Sequence, residues 1–411
     1  MRRFFGKLAN VIRQTNKARP AQGSRRRASL QVEALESRQL LSGSSILTLS
    51  TAPLVVPPLT PIQFKYQSLG GASGFLGKAV TGELPMPYGN GRYEQFQHGN
   101  IYWSAATGAH DVYGPILNEY FLTAAERDAH GNSVQVGLGL PTTDVVGLQS
   151  MPGAEAVVFQ GGTIYWSAQT GAHAIYGGIY TEYLATQNEI DANANEVFMA
   201  IGLPTSDETN VPGVAGGRMN TFAGGAAIYW SQATGAHVVY GAIAAKYNSV
   251  GGPVAYGLPT SDEANVPGLP GVRVSDFQGG RAIYWSAATG AHTVYGAIEA
   301  EYLATAGEHD YYGRNVMALL GAPTSDQTSI IGAWEPNARM NTFQGGNIYW
   351  SPDTGAHAVY GAILAKYEFV GGPASWLGMP ISDESDWYAG RISIFVGGSI
   401  MWNPGGGATA L

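Results

Sequence analysis

The chain has 411 residues, of which 13% are charged and 45% hydrophobic, with 57 glycines, 23 tyrosines and no cysteine. That balance excludes a disordered chain and a charged helical bundle, and the missing cysteine excludes disulfide scaffolds, cysteine-zinc sites and thiol chemistry. The net charge of −8 splits into +8 over residues 1–43 and −16 over the remainder, so the acidic body repels nucleic-acid phosphates, and no apolar run is long enough for a transmembrane helix.

Residues 1–43 carry ten Lys/Arg against Glu33 and Glu36. They read as a basic, disordered targeting segment. After Arg25-Arg26-Arg27, the stretch Val32 to Ser42 contains Leu35-Glu36-Ser37-Arg38-Gln39-Leu40-Leu41. It resembles the LEPR-xLL N-terminal motif of surface and exported planctomycete proteins, with Ser37 in place of the usual Pro. Residues 44–61 form a Pro-rich linker in which Ile46 to Leu49 can supply a short strand.

From Ile62 the chain repeats itself. Each unit opens with a short helical word ending in Lys/Glu-Tyr, with Tyr66, Tyr120, Tyr183, Tyr247, Tyr302 and Tyr367 in one slot. A loop follows, long at Leu122–Val136, Leu184–Ala200 and Leu303–Leu319. Then comes a Leu-Gly-x-Pro word, as in Gly202-Leu203-Pro204-Thr205-Ser206-Asp207-Glu208. Three strand words close the unit. Arg339 to Phe343 is the first, Ile348-Tyr349-Trp350 the second and Ala356 to Tyr360 the third, joined by Gly-Gly and Thr-Gly turns.

The tryptophans of the second strand word are Trp103, Trp166, Trp230, Trp285, Trp350 and Trp402, spaced by 63, 64, 55, 65 and 52 residues. Such a period indicates a repeat architecture. The expected fold is mainly β with short helices. Six repeats, each a three-stranded antiparallel meander plus one helix, form a propeller-like closed ring over residues 62–403; five blades is the alternative. The last unit lacks a Thr-Gly-Ala-His word. Residues 404–411 therefore read as a flexible tail, and Ile46 to Leu49 as the strand that closes the ring.

These words resemble the LGFP repeat, which has Leu-Gly-x-Pro, then Phe and Gly-x-Ile-Tyr-Trp-Ser, then Thr-Gly-Ala-His. The resemblance implies an extracellular or cell-wall-associated protein whose repeats bind envelope material. No separate enzyme domain accompanies the repeats here.

Alternation along the strand places Ile and Trp on one face and Tyr on the other. The tryptophans therefore read as core. Tyr102, Tyr165, Tyr229, Tyr284 and Tyr349 are stacking platforms for sugars if exposed, and packing between blades if covered. His110, His173, His237, His292 and His357 share one slot. Around a ring they can hold a metal or an anionic sugar; the competing reading is that they cap the preceding turn or pack against the neighbouring blade. Asp144, Asp207, Asp262, Asp326 and Asp383 read as turn-closing residues, with calcium ligation the alternative.

Glu83, Glu208, Glu263 and Glu384 occur in units that also carry Arg92, Arg218, Arg273 and Arg391, whereas unit two has Val145 and Glu155 instead. One Glu–Arg contact per blade follows. Gln327 with Arg339 is a hydrogen-bonding variant. Every candidate nucleophile belongs to the repeat, while active sites break symmetry. The expectation is a noncatalytic protein without cofactor or metal. Its partner is a cell-envelope polysaccharide or peptidoglycan-type polymer. A structural or protein-interaction role and a hydrolase at the ring axis are the alternatives.

Overall fold

The computed structural model describes residues 58–411. The basic segment 1–43, its motif and the candidate strand Ile46 to Leu49 lie outside the described residues. Six units follow one another: 61–113, 114–176, 177–240, 241–295, 296–360 and 361–411. Each carries one four-stranded antiparallel sheet whose strands neighbour one another in chain order. In unit three the helix is Gly177–Ala185, and the strands are Thr209–Asn210, Arg218–Thr221, Ala227–Ser231 and Gly235–Val239.

The fourth strand corrects the three-stranded expectation. The residues just after Pro-Thr-Ser-Asp-Glu run extended beside the Arg strand, with Met219 opposite Thr209 and Arg218 opposite Asn210. Two residues are too few to show a period-2 pattern, so this strand left no signal in the sequence.

Unit six is also complete. Gly407–Ala410 pairs with Gly398–Asn403, Trp402 standing opposite Ala408. Asn403 Oδ1 accepts from the backbone N–H of Gly405 at 3.2 Å and of Gly406 at 2.6 Å, which closes the turn. The expected flexible tail is thus the outer strand of its own sheet, and that edge needs no strand exchanged from elsewhere. Hydrogen bonds and ion pairs between units run to the next unit in sequence. Among the described residues none joins unit six to unit one.

Each helix lies against the last two strands of its own sheet, and those of units two, three, five and six also touch the sheet before. A separate apolar cluster fills each gap between consecutive sheets. The gap between units two and three shows its construction. Tyr165 of unit two meets helix Tyr183 edge-on at 5.5 Å, and Tyr183 stacks on Phe222 of unit three at 5.0 Å. Ile228 lies in the same cluster. Burying each such ring contributes roughly 2 kcal/mol, and each aromatic pair about 1 kcal/mol more.

The Tyr183 hydroxyl donates to the Gly202 carbonyl at 2.9 Å. The same bond recurs in every unit, from Tyr66, Tyr120, Tyr247, Tyr302 and Tyr367 to Gly77, Gly139, Gly257, Gly321 and Gly378. Gly202 has φ 73°, a left-handed conformation that side chains resist. The helix tyrosine and the Leu-Gly word are therefore two halves of one fastening.

The strand tyrosines take the packing role, while the tryptophans are less deeply buried than a core reading expects. The five strand tyrosines are 2–5% exposed, because their face meets the next unit's helix. The tryptophans are only half-buried. They sit two residues beyond the Ile, near the strand end, and pack one edge against the cluster while the other reaches the rim of the junction.

Candidate functional site

Each histidine slot is filled at a junction between units. His173 Nδ1 lies 3.2 Å from Asp207 Oδ1 of the next unit, and Nε2 lies 2.9 Å from the Thr170 carbonyl oxygen. His110–Asp144, His237–Asp262 and His357–Asp383 repeat the pair at 3.2, 3.1 and 3.2 Å. The same Asp Oδ1 accepts the backbone N–H after the histidine, from Ala174 at 3.0 Å in this copy. Both ring nitrogens of these four histidines are thus engaged at their own junctions, and the Asp oxygen that holds them serves the neighbouring unit. With oxygen acceptors at both ring nitrogens, the Asp hydrogen bond raises His173, His237 and His357 above the ordinary imidazole pKa. Burial opposes the charge on Asp207, but the His173 and Ala174 hydrogen bonds hold it below the usual carboxylate range.

The junctions fall into two kinds. Where the helix carries Lys before its Tyr, the ammonium takes the other oxygen of the Asp. Lys65 Nζ lies 2.6 Å from Asp144 Oδ2 and 3.0 Å from Asp111, and Lys246 Nζ lies 2.9 Å from Asp326 Oδ2. His292 Nδ1 then stands back at 3.7 Å from Asp326 and is unpartnered.

Where the helix carries Glu, the following loop is long and brings a second Glu. The triads are Glu119-Glu126-Asp207, Glu182-Glu189-Asp262 and Glu301-Glu308-Asp383, their oxygens within 4.8 Å of one another. Burial first, then the neighbouring Asp, pushes Glu119 up to about 8, Glu182 to about 9 and Glu301 to about 8. The sequence reading passed over these glutamates. Their signal was present in the alternation of Lys and Glu before the helix Tyr, which follows loop length.

An Arg–Glu pair stands beside each triad. Nε of Arg218, Arg273 and Arg391 lies 2.6, 2.8 and 3.1 Å from Glu208, Glu263 and Glu384. Their Nη2 groups donate to the carbonyls of Arg127, Ile190 and His309 on the preceding unit's long loop. The pair therefore clamps that loop. Arg92 reaches Glu83 at 2.9 Å but is half exposed and holds no loop. In unit five the expected hydrogen bond from Arg339 is not made, and Gln327 Oε1 is buried without a partner. That unit follows a short loop, so its Arg has nothing to clamp.

The clamped loop, the helix start and a tryptophan together form an open groove. Between units three and four, Asp191, Ala192, Glu263 and Trp285 line about 180 Å³. Between units five and six, Asp310, Tyr312, Glu384 and Trp402 line about 100 Å³ in the equivalent place. Loop-tip residues set the difference. Tyr311 and Tyr312 stand 5.5 and 6.0 Å from Trp402, whereas Ala192 and Asn193 leave Trp285 uncovered. Between units two and three His130 stands 6.3 Å from Trp230. Asp191 Oδ1 accepts the N–H groups of Asn193 at 2.8 Å and Asn195 at 2.9 Å, which shapes the tip.

No curated protein matches the chain. Among solved structures, one titled "Crystal Structure of Mitotic Checkpoint Complex" is 10% identical over 78% of this chain and 73% of its own, with a TM-score of 0.12. The BamB structure from Moraxella catarrhalis is 9% identical over 80% and 73%, with a TM-score of 0.10. Neither bears on the arrangement of the sheets. The LGFP repeat matches six times, at residues 76–128, 138–190, 201–254, 257–310, 320–375 and 377–411. Each match begins at or beside a Leu-Gly word. With six matches that cover most of residues 76–411, the chain belongs to the LGFP repeat family.

Proposed function

We propose that this is a noncatalytic binding protein of the cell surface or the extracellular space. It grips envelope polysaccharide or a peptidoglycan-type polymer through the grooves between its units. The observation that carries the reading is the half-buried Trp285 beside Asp191 and Glu263 in an open groove, repeated as Trp402 beside Asp310 and Glu384. An aromatic face stacks on the apolar side of a sugar ring, and carboxylates accept from its hydroxyls. Repetition along one chain raises weak affinity without new contacts. The family's occurrence on cell-wall-associated proteins and the basic leader support the location.

Two features speak for a noncatalytic role. The carboxylate clusters recur from junction to junction instead of forming one unique pair. The repeated serines are spent on their turns, as Ser231 and Ser286 each bond a Thr hydroxyl at 2.8 Å. For the arrangement of units we propose a propeller-like ring on the six-fold repetition alone, since among the described residues no hydrogen bond or ion pair joins unit six to unit one. Small-angle scattering from the full chain tests it, since an open stack is longer.

The experiment for binding is retention of the full chain on purified cell-wall fractions, beside a Trp285→Ala/Trp402→Ala variant. Retention lost in the variant supports the reading, and no retention of the unmodified chain on any fraction overturns it. A protein-interaction role is the second reading. It is favoured by Ile331, Trp334 and Tyr388, which are 96%, 77% and 95% exposed.

A further inference from the structure

We propose that the three carboxylate triads are divalent-cation sites suited to calcium, and that the lysine junctions are the same site with the cation supplied by the chain. The two kinds of junction share one frame. In both, a backbone N–H occupies Oδ1 of the Asp, joined by the histidine at every junction but that of Asp326, leaving Oδ2 for whatever the helix presents. At the lysine junctions that is an ammonium, on Oδ2 of Asp144 and of Asp326. One turn before the loop, at the same helical position, Glu119 presents a carboxylate to Asp207 instead, and the long loop adds Glu126. A cation is removed and two anions arrive together, three times over.

Glu119 supplies a separate sign. It is 5% exposed, and its buried Oε1 has no hydrogen-bond partner. Glu182 Oε1 and Glu301 Oε1 are buried and unpartnered in the same way. An orphaned carboxylate oxygen in the interior is costly unless something positive meets it. The cations nearby are already engaged, His173 on Asp207 Oδ1 and Arg218 on Glu208.

The chemistry of the donors selects the ion. All three are carboxylates, and hard oxygen donors suit calcium or magnesium rather than zinc or copper. Calcium–oxygen distances of about 2.4 Å place two ligands on opposite sides of one ion about 4.8 Å apart. The oxygens of each triad lie within 4.8 Å of one another. Calcium also accepts the irregular geometry of ligands drawn from two units, where magnesium demands an octahedron.

The test is calcium binding to the full chain at pH 7.5, after chelator treatment, by isothermal titration together with thermal unfolding. Three calcium ions per chain are expected, one for each triad, with a rise in unfolding temperature. Glu119→Lys, Glu182→Lys and Glu301→Lys copy the native lysine junctions. Each should remove one site, and the triple variant should lose both uptake and the thermal shift while remaining folded. Should a Lys variant not fold, Glu126→Gln, Glu189→Gln and Glu308→Gln at half-buried loop positions must show the same loss. The assignment is overturned by no uptake and no thermal shift at millimolar calcium, by uptake unchanged in the triple variant, or by uptake of magnesium alone.

Discussion

Lys246 Nζ lies 2.9 Å from Asp326 Oδ2, across the boundary between units four and five. The contact spans 80 residues of sequence, yet it is made by one helix position and one loop position that recur in every unit. The partners are 20% and 40% exposed, so the pair is screened. Lys246→Met should cost about 1 kcal/mol at low salt and less at high salt.

Arg273 and Arg92 make the same contact in different company. The Arg273 and Glu263 side chains are 7% and 9% exposed, and Arg273 also holds the Ile190 carbonyl. Arg273→Met leaves a buried carboxylate unpaired and should cost about 3 kcal/mol. Hydrogen exchange should rise across the loop at residues 189–196. Arg92 is 50% exposed, and Arg92→Met should cost less than about 1 kcal/mol without any loop response.

Tyr183→Phe removes one hydroxyl and leaves the aromatic column standing. The Gly202 carbonyl loses its 2.9 Å donor, so chemical denaturation should show a loss of about 1 kcal/mol. Tyr183→Ala also opens a cavity beside Phe222 and should cost about 3–5 kcal/mol.

Glu299 sits 8% exposed in a helix position that holds Ala244 in unit four and Leu364 in unit six. The Tyr284 hydroxyl lies 2.9 Å from its Oε1, and Oε2 is unpartnered. Burial pushes its pKa up to about 8 from the ordinary 4.5. A raised folded-state value means that its stabilising protonation is fully present below pH 4.5 and lost as pH rises through about 8. The full chain should therefore lose stability between those limits. Glu299→Gln should remove this part of the dependence and unfold at a higher temperature than the unmodified chain at pH 8.5.

The repeat frame was legible because its words are long and recur, and the Glu–Arg contacts emerged from comparing units with one another. The shallower burial of Trp285 beside Tyr284 was not. Strand alternation assigns each to a face, but both faces of every sheet are covered, so depth is set by distance from the strand end. The capping role of His173 on the Thr170 turn was legible, but its partner Asp207 lies 34 residues away in the next unit, and no local spacing records a contact between units. The outer strand Gly407–Ala410 is written in residues with little strand preference. It forms because Gly398–Asn403 offers it an open edge.

The central claim is that recognition resides in the tryptophan grooves and not in the repeated Tyr and His residues. The most direct test is titration of the full chain with soluble fragments of cell-wall glycan, following tryptophan fluorescence, for the unmodified chain, Trp285→Ala and His237→Gln. The account predicts saturable binding that Trp285→Ala weakens about tenfold, the equivalent of roughly 1.4 kcal/mol, while His237→Gln leaves it unchanged. Equal binding by Trp285→Ala and the unmodified chain, or loss confined to His237→Gln, would contradict it.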